Sequence, residues 1–287
     1  MYKTLKEVTQ TATQLNMTIG AFNTHNLEMM PEMIRAAKEL GVPIIIQTSI
    51  ATAKYIGYKV MVTVAKEMAE DEMVDVCLHL DHAKDFDEIK AAIDAGFSSV
   101  MFDGSALPFK ENIAKTKMVV AYAHAHGASV EGELGTIGGT EEGICVSEDD
   151  KKYTRPQDAA IFVKKTNVDA LAIAIGTNHG QYQSKTEVNI PLLKKIHAAV
   201  DIPLVLHGGT GVKEEDYQEL IDNGIRKFNV GTELLVNWTR VAKEKFQETE
   251  VNKSLRHNIR PANMAVKEIV KHKAALFMNL YRPLQSK

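Results

Sequence analysis

Cysteine is scarce in this chain: Cys77 and Cys145 are the only two among 287 residues. Cys77 falls inside a buried strand pattern and Cys145 inside a loop, so no disulfide framework is expected and a reducing cytoplasm is the expected setting. Long apolar runs are also missing. No stretch approaches the roughly 18–20 residues needed to span a bilayer. Residues 1–16, MYKTLKEVTQTATQLN, are polar and helical in pattern, unlike a secretory signal. Neither charge sign dominates: 34 Lys and Arg stand against 37 Asp and Glu, a formal net charge of −3. That balance leaves no electrostatic footprint for nucleic acid or an anionic membrane. Proline- or serine-rich linkers and low-complexity segments are absent too. What remains is 45% apolar and 25% charged, ordinary for a globular protein.

Eight short apolar runs are present, at 18–23, 43–49, 76–82, 99–105, 129–135, 170–176, 203–209 and 227–233. Most are near-continuous rather than alternating, as expected for strands covered on both faces. Amphipathic helical patterns lie between them. Those at 27–41, 86–96 and 213–224 each end in glycine, a residue suited to the left-handed turn past a helix. A strand–helix unit repeated eight times predicts an α/β fold, a (β/α)8 TIM barrel. It would form one domain over 1–287, with an N-terminal helix and a C-terminal helical extension. An open doubly wound sheet is the alternative, but eight strands of similar weight favour closure. Segment 135–157 is too long and polar for an ordinary connection, and such loops are usually functional.

Three histidines stand at the ends of these runs: His82 in VCLHLDH (76–82), His179 just past the sixth run in ALAIAIGTNH (170–179), and His207 in PLVLHGG (203–209). Catalytic zinc commonly takes three protein ligands and keeps a fourth position open. In this barrel, catalytic groups lie at the C-terminal ends of strands. Asp81, beside His82, adds a proton-transfer group, and Asp103, Glu133 and Asn229 also fall at strand ends. His79 lies earlier in its strand and reads as a hydrogen-bonded core residue. His124 and His126 precede Gly127 on a helix and read as surface or capping groups, and His25 could face the site. Gly180 follows His179, GGTG (208–211) follows His207, and NVGTE (229–233) ends the eighth run. Loops after the seventh and eighth strands form the usual phosphate site of this fold. The combination predicts metal-assisted chemistry on a phosphorylated small molecule. Two readings of Asp103 and Glu133 stand: they orient the histidines, or they bind a second cation. Glu141 could swing over the substrate as an acid or base, or could be a solvated loop residue.

In combination and order, AFNTHN (21–26), HLDH (79–82), MFDGS (101–105), VEGELGTIGG (130–139), AIGTNHG (174–180), LHGGTG (206–211) and NVGTE (229–233) resemble the class II, zinc-dependent ketose-bisphosphate aldolases. The likeness runs on to PANMAVKEIV (261–270) and so covers nearly the whole chain. It implies a barrel that assembles as a homodimer or homotetramer. It implies zinc on His82, His179 and His207, and Asp81 as the acid and base. It implies dihydroxyacetone phosphate held by Gly180, Gly208, Gly209, Thr210, Asn229, Val230, Gly231 and Thr232. Asp103 and Glu133 match positions used for a second metal in some members. Glu141 matches a mobile-loop glutamate linked to proton exchange on dihydroxyacetone phosphate, and Ser49 matches a hydroxyl that meets the aldehyde half.

Two departures fall on the aldehyde side. Fructose-bisphosphate members often carry PAREA, whose arginine grips the second phosphate; here PANMA places Asn263 there. The fourth-strand loop often reads SHxPF; here it reads SALPF, with Ala106 and Leu107. The resemblance therefore implies reversible cleavage of a ketose 1-phosphate or 1,6-bisphosphate, of tagatose or fructose type, to dihydroxyacetone phosphate and an aldehyde. No strand pattern carries an interior lysine apart from Lys227, at the start of the last, which favours a metal over a Schiff base. A metal-dependent hydrolase and a non-catalytic partner subunit are the alternatives. The first would not need the phosphate turns, and the second should have lost ligands.

Overall fold

Near-continuous apolar runs can be satisfied only by strands buried on both sides, and this governs the architecture. In a computed structural model, which describes residues 1–136, 138–141, 144–146, 152–179, 188–250 and 253–278, all eight runs form parallel strands. They are β1 (Ile19–Asn23), β2 (Ile44–Thr48), β3 (Val76–Ala83), β4 (Ser99–Phe102), β5 (Ser129–Leu134), β8 (Ala170–Ile173), β10 (Leu204–Leu206) and β11 (Ile225–Val230). The sheet closes in the order β1-β11-β10-β8-β5-β4-β3-β2, so the open-sheet alternative is excluded. Three short strands lie outside the barrel: β6 (Gly138–Glu141), β7 (Ile144–Val146) and β9 (Asn178–His179). They form a small sheet within and beside the long polar segment.

Helices cover the barrel between strands. The first, α1 (Leu5–Gln14), begins with a capping box in which Thr4 and Glu7 satisfy each other's backbone N–H. It contacts β1, β3, β5 and β11, and the Lys6 amide donates to Ser129 Oγ at 3.1 Å, at the first residue of β5. The helix therefore closes the N-terminal end of the barrel and leaves the C-terminal end for chemistry. Next come α2 (Met29–Leu40), α3 (Ile50–Ile56), α4 (Tyr58–Asp71), α5 (Phe86–Ala95), α6 (Phe109–Ala125), α7 (Pro156–Thr166), α8 (Ile190–His197) and α9 (Tyr217–Asp222). Gly41 and Gly96 end α2 and α5 in the left-handed conformation, as the pattern predicts. Segment 213–224 is a 3-10 turn (Glu214–Asp216) followed by the short α9 rather than one helix.

The C-terminal extension is α10 (Thr232–Glu248) and α11 (Leu255–Phe277). Its last residue, Phe277, packs on Phe228 of β11 and Tyr217 of α9 with ring centroids 4.8 and 5.4 Å apart. Removing such a buried ring costs about 3–5 kcal/mol, so the extension is part of the core. No described helix is long and apolar enough to cross a membrane.

Candidate active site

Adjacent residues in a regular strand point to opposite faces, yet Asp81 and His82 are both needed on one side. The end of β3 breaks the alternation. Its register with β4 shifts between Leu80 and Ala83, and His82 adopts a positive φ of 47°. A non-glycine residue there is uncommon and held by its surroundings. His207 lies one residue beyond β10, reached from the other side of the barrel. The turn at His82 brings its Nε2 to 3.0 Å from His207 Nδ1. Asp81, His82 and His207 each offer one donor atom within 4.8 Å of the others, as do His82, Asp103 and Glu133.

The carboxylates differ in their surroundings. Asp103, just past β4, accepts from Ser105 Oγ at 2.6 Å and lies 3.5 Å from His82 Nδ1. Burial pushes its carboxyl up, but His82 and Ser105 outweigh that and hold it well below the usual range. Burial and the neighbouring Asp103 push Glu133 well above it. Glu133 Oε2 and Asp81 Oδ1 are buried without a hydrogen-bond partner among the described residues. Two nitrogens bound to a tetrahedral zinc at about 2.0–2.1 Å stand roughly 3.3 Å apart, close to the observed His82–His207 spacing. Converging imidazoles beside unpartnered buried carboxylate oxygens fit a bound cation.

Beneath these groups runs a polar layer that sequence reasoning missed. Gln47 Nε2 donates to Asn23 Oδ1 at 2.6 Å and to Asp81 Oδ2 at 3.2 Å. Glu131 accepts from His207 Nε2 at 2.8 Å and pairs with Lys227 Nζ at 2.9 Å. Lys227 also donates to Asn229 Oδ1 at 2.8 Å. The signal for these residues was present: a polar side chain inside a doubly buried apolar run needs a partner. Lys227 was expected at a strand start. It instead lies within β11 with no solvent exposure, because the strand begins two residues earlier, at Ile225. His79 is the core residue expected; its Nδ1 lies 2.8 Å from Ser99 Oγ. Burial and Lys227 hold its imidazole down at about 3, so it stays neutral.

The glycines form a cradle beside His207. Gly208 has φ +69°, and a Cβ there would clash with the Asn178 carbonyl oxygen. Gly209 opens a 3-10 turn through Thr210 to Gly211 and lies against the Phe228 ring and the Asn229 carbonyl. Val230 ends β11, Gly231 lies against Asn23, and Thr232 opens α10, whose N-terminus no side chain caps. Such a terminus presents unpaired N–H groups to an anion. Gly180 lies outside the described residues. The backbone of His179 pairs with Gly139, and Glu141 ends the adjacent β6, while the side chains of both lie outside the described residues.

Other expected residues have settled partners. Ser49 caps α3, accepting from the Thr52 amide at 3.3 Å. His124 lies 2.8 Å from Asp169, and His126 ends α6. Asn263 is buried on α11, where its Oδ1 accepts from Trp238 Nε1 of α10 at 2.7 Å. An arginine there would lose that acceptor and put a charge into the α10–α11 contact, so a simple substitution is expected to disturb the contact rather than restore a phosphate grip.

Comparisons with known proteins identify relatives of the chain. Residues 3–280 match the family described as fructose-bisphosphate aldolase class-II. The D-tagatose-1,6-bisphosphate aldolase subunit GatY of Klebsiella oxytoca is 38% identical over 260 residues, covering 91% of this chain and 92% of that protein. The crystal structure of the YdjI aldolase from Escherichia coli K12 superposes with a TM-score of 0.84 at 34% identity, covering 96% of this chain and 97% of that one. A fructose-bisphosphate aldolase structure from Campylobacter jejuni, 23% identical with a TM-score of 0.78, covers 96% of this chain and 95% of that one and shares the fold. The chain belongs to the class II fructose-bisphosphate aldolases, zinc-dependent carbon–carbon lyases of sugar phosphate metabolism.

Proposed function

We propose that this chain cleaves a ketose 1-phosphate or 1,6-bisphosphate between C3 and C4, with His82, His179 and His207 holding one zinc ion and Asp81 moving the proton. The convergence of Asp81, His82 and His207 beside the Gly208 turn carries this reading. A zinc ion held there would supply Lewis-acid chemistry to the substrate oxygens. Gln47 holds Asp81 by Oδ2, which leaves Oδ1 to take the C4 hydroxyl proton in cleavage and return it in condensation. Backbone N–H groups at Gly208–Thr210 and at Gly231–Thr232, with Gly180, bind the phosphate of the dihydroxyacetone half. Asn229, with Oδ1 tied to Lys227, donates from Nδ2 to that half.

Asp103 and Glu133, together with His82, offer a second cation position. Glu141 serves proton exchange on the dihydroxyacetone phosphate carbon, and Ser49 meets the aldehyde half, as the family resemblance implies. The aldehyde side lacks the arginine common in fructose-bisphosphate enzymes, which supports tagatose 1,6-bisphosphate or another ketose 1-phosphate as substrate. One barrel domain, a homodimer or homotetramer and a cytoplasmic setting complete the reading.

The test is kcat/KM for fructose and tagatose 1,6-bisphosphates and for ketose 1-monophosphates with zinc present. Preference for a substrate other than fructose 1,6-bisphosphate is expected. A strong preference for fructose 1,6-bisphosphate would show that another cation grips the second phosphate.

A further inference from the structure

Among the described residues, the barrel interior holds a lysine–carboxylate ion pair with no solvent exposure on either side chain, Glu131 with Lys227. Burying two charges is expensive, and replacing such a pair by apolar groups is often neutral or stabilising. Stability alone is therefore a poor reason for its presence. Both partners end on site residues. Glu131 reaches His207 Nε2 through Oε1 and Lys227 Nζ through Oε2. Lys227 reaches Asn229 Oδ1.

The hydrogen-bonding capacities of these groups set two polarities. A carboxylate can only accept, so the proton between Glu131 and His207 sits on Nε2. His207 Nδ1 then carries the lone pair, and Nδ1 is the atom 3.0 Å from His82 Nε2 and 3.9 Å from Glu133 Oε2. An ammonium can only donate, so the Asn229 atom it meets must be the carbonyl oxygen. Nδ2 remains as that residue's donor. The strand period makes both effects available from one pair. Glu131 and Glu133 share one face of β5, and Lys227 and Asn229 share one face of β11, each two residues apart.

We propose that Glu131 and Lys227 are positioning residues for the aldol reaction, fixing His207 as the Nε2–H tautomer, whose Nδ1 lone pair serves the metal, and fixing Asn229 as an amide donor toward substrate. The inference rests on the zinc reading above and adds to it the residues that orient a ligand and a substrate-binding amide. Partners behind a metal-bound histidine fix its ring and tautomer in this way, and their loss typically weakens metal binding about 10–100-fold.

The test uses metal-free protein labelled with ¹⁵N-histidine, together with the double variant Glu131→Met/Lys227→Met, which removes both charges at similar volume. In the wild type, two-bond ¹H–¹⁵N correlations should report His207 as the Nε2–H tautomer. The folded double variant should show both His207 tautomers. By chelator competition it should bind zinc about 10–100-fold more weakly, and its affinity for dihydroxyacetone phosphate should also fall. An Nδ1–H tautomer in the wild type overturns the proposal, and this result decides the matter even if the variant does not fold. A wild type that binds zinc, beside a folded variant that binds it equally well with one His207 tautomer, overturns the proposal and leaves the functional reading standing. A wild type that binds no zinc overturns both.

Discussion

Gln47 holds Asp81 from inside the barrel, its Nε2 lying 3.2 Å from Asp81 Oδ2 while the same nitrogen lies 2.6 Å from Asn23 Oδ1. The three residues come from β3, β2 and β1, adjacent strands of the closed sheet. One carboxylate oxygen is thereby anchored, and the other has no hydrogen-bond partner among the described residues. That is the arrangement a fixed proton-transfer group requires.

Asp81→Asn should therefore fold, bind zinc and bind dihydroxyacetone phosphate, because neither the histidines nor the glycine turns change. Single-turnover cleavage should fall by about 10²–10⁴-fold, the usual contribution of a general acid–base group. A variant within a few-fold of wild type would remove Asp81 from proton transfer.

Gly208→Ala tests the cradle. The position requires φ +69°, and the added methyl would meet the Asn178 carbonyl oxygen. The left-handed conformation alone costs an L-residue about 1–2 kcal/mol, and the contact with backbone adds to it. The expected outcome is a lower melting temperature and a raised KM for dihydroxyacetone phosphate in condensation, with zinc stoichiometry kept. Unchanged KM would place the phosphate elsewhere.

Asn263→Arg should lower stability and fail to favour bisphosphates. The substitution removes the acceptor of Trp238 Nε1 and puts a charge into the α10–α11 contact. Leaving a buried donor unsatisfied costs about 1–3 kcal/mol. Thermal unfolding and kcat/KM for the bisphosphates are the measurements. A stable variant with raised bisphosphate efficiency would show that residue 263 can reach the substrate.

The barrel was legible because strands buried on both faces leave unbroken apolar runs, and each of the eight runs became a barrel strand. His82 and His207 were legible as polar ends of those runs, and the structure brings them together. The turn at His82 was not legible. A register shift and a positive φ depend on neighbouring strands, and no residue type in LDHA announces them. The small sheet of β6, β7 and β9 escaped because its strands are two to four residues long and polar or glycine-rich at β6 and β9. Glu131 was overlooked beside Glu133, though a spacing of two puts both on one face. Lys227 looks like a strand start because a lysine rarely sits inside a buried strand, yet β11 begins two residues earlier, at Ile225, and buries it.

If the reaction runs through zinc on the histidines, bound zinc and cleavage activity should be lost and regained together. Protein stripped by a strong chelator should lose cleavage and regain it with zinc or cobalt, and His207→Ala should stay folded without stoichiometric zinc. Full activity after chelation, with a borohydride-trapped adduct on a lysine such as the buried Lys227, would show a Schiff-base route in place of the metal.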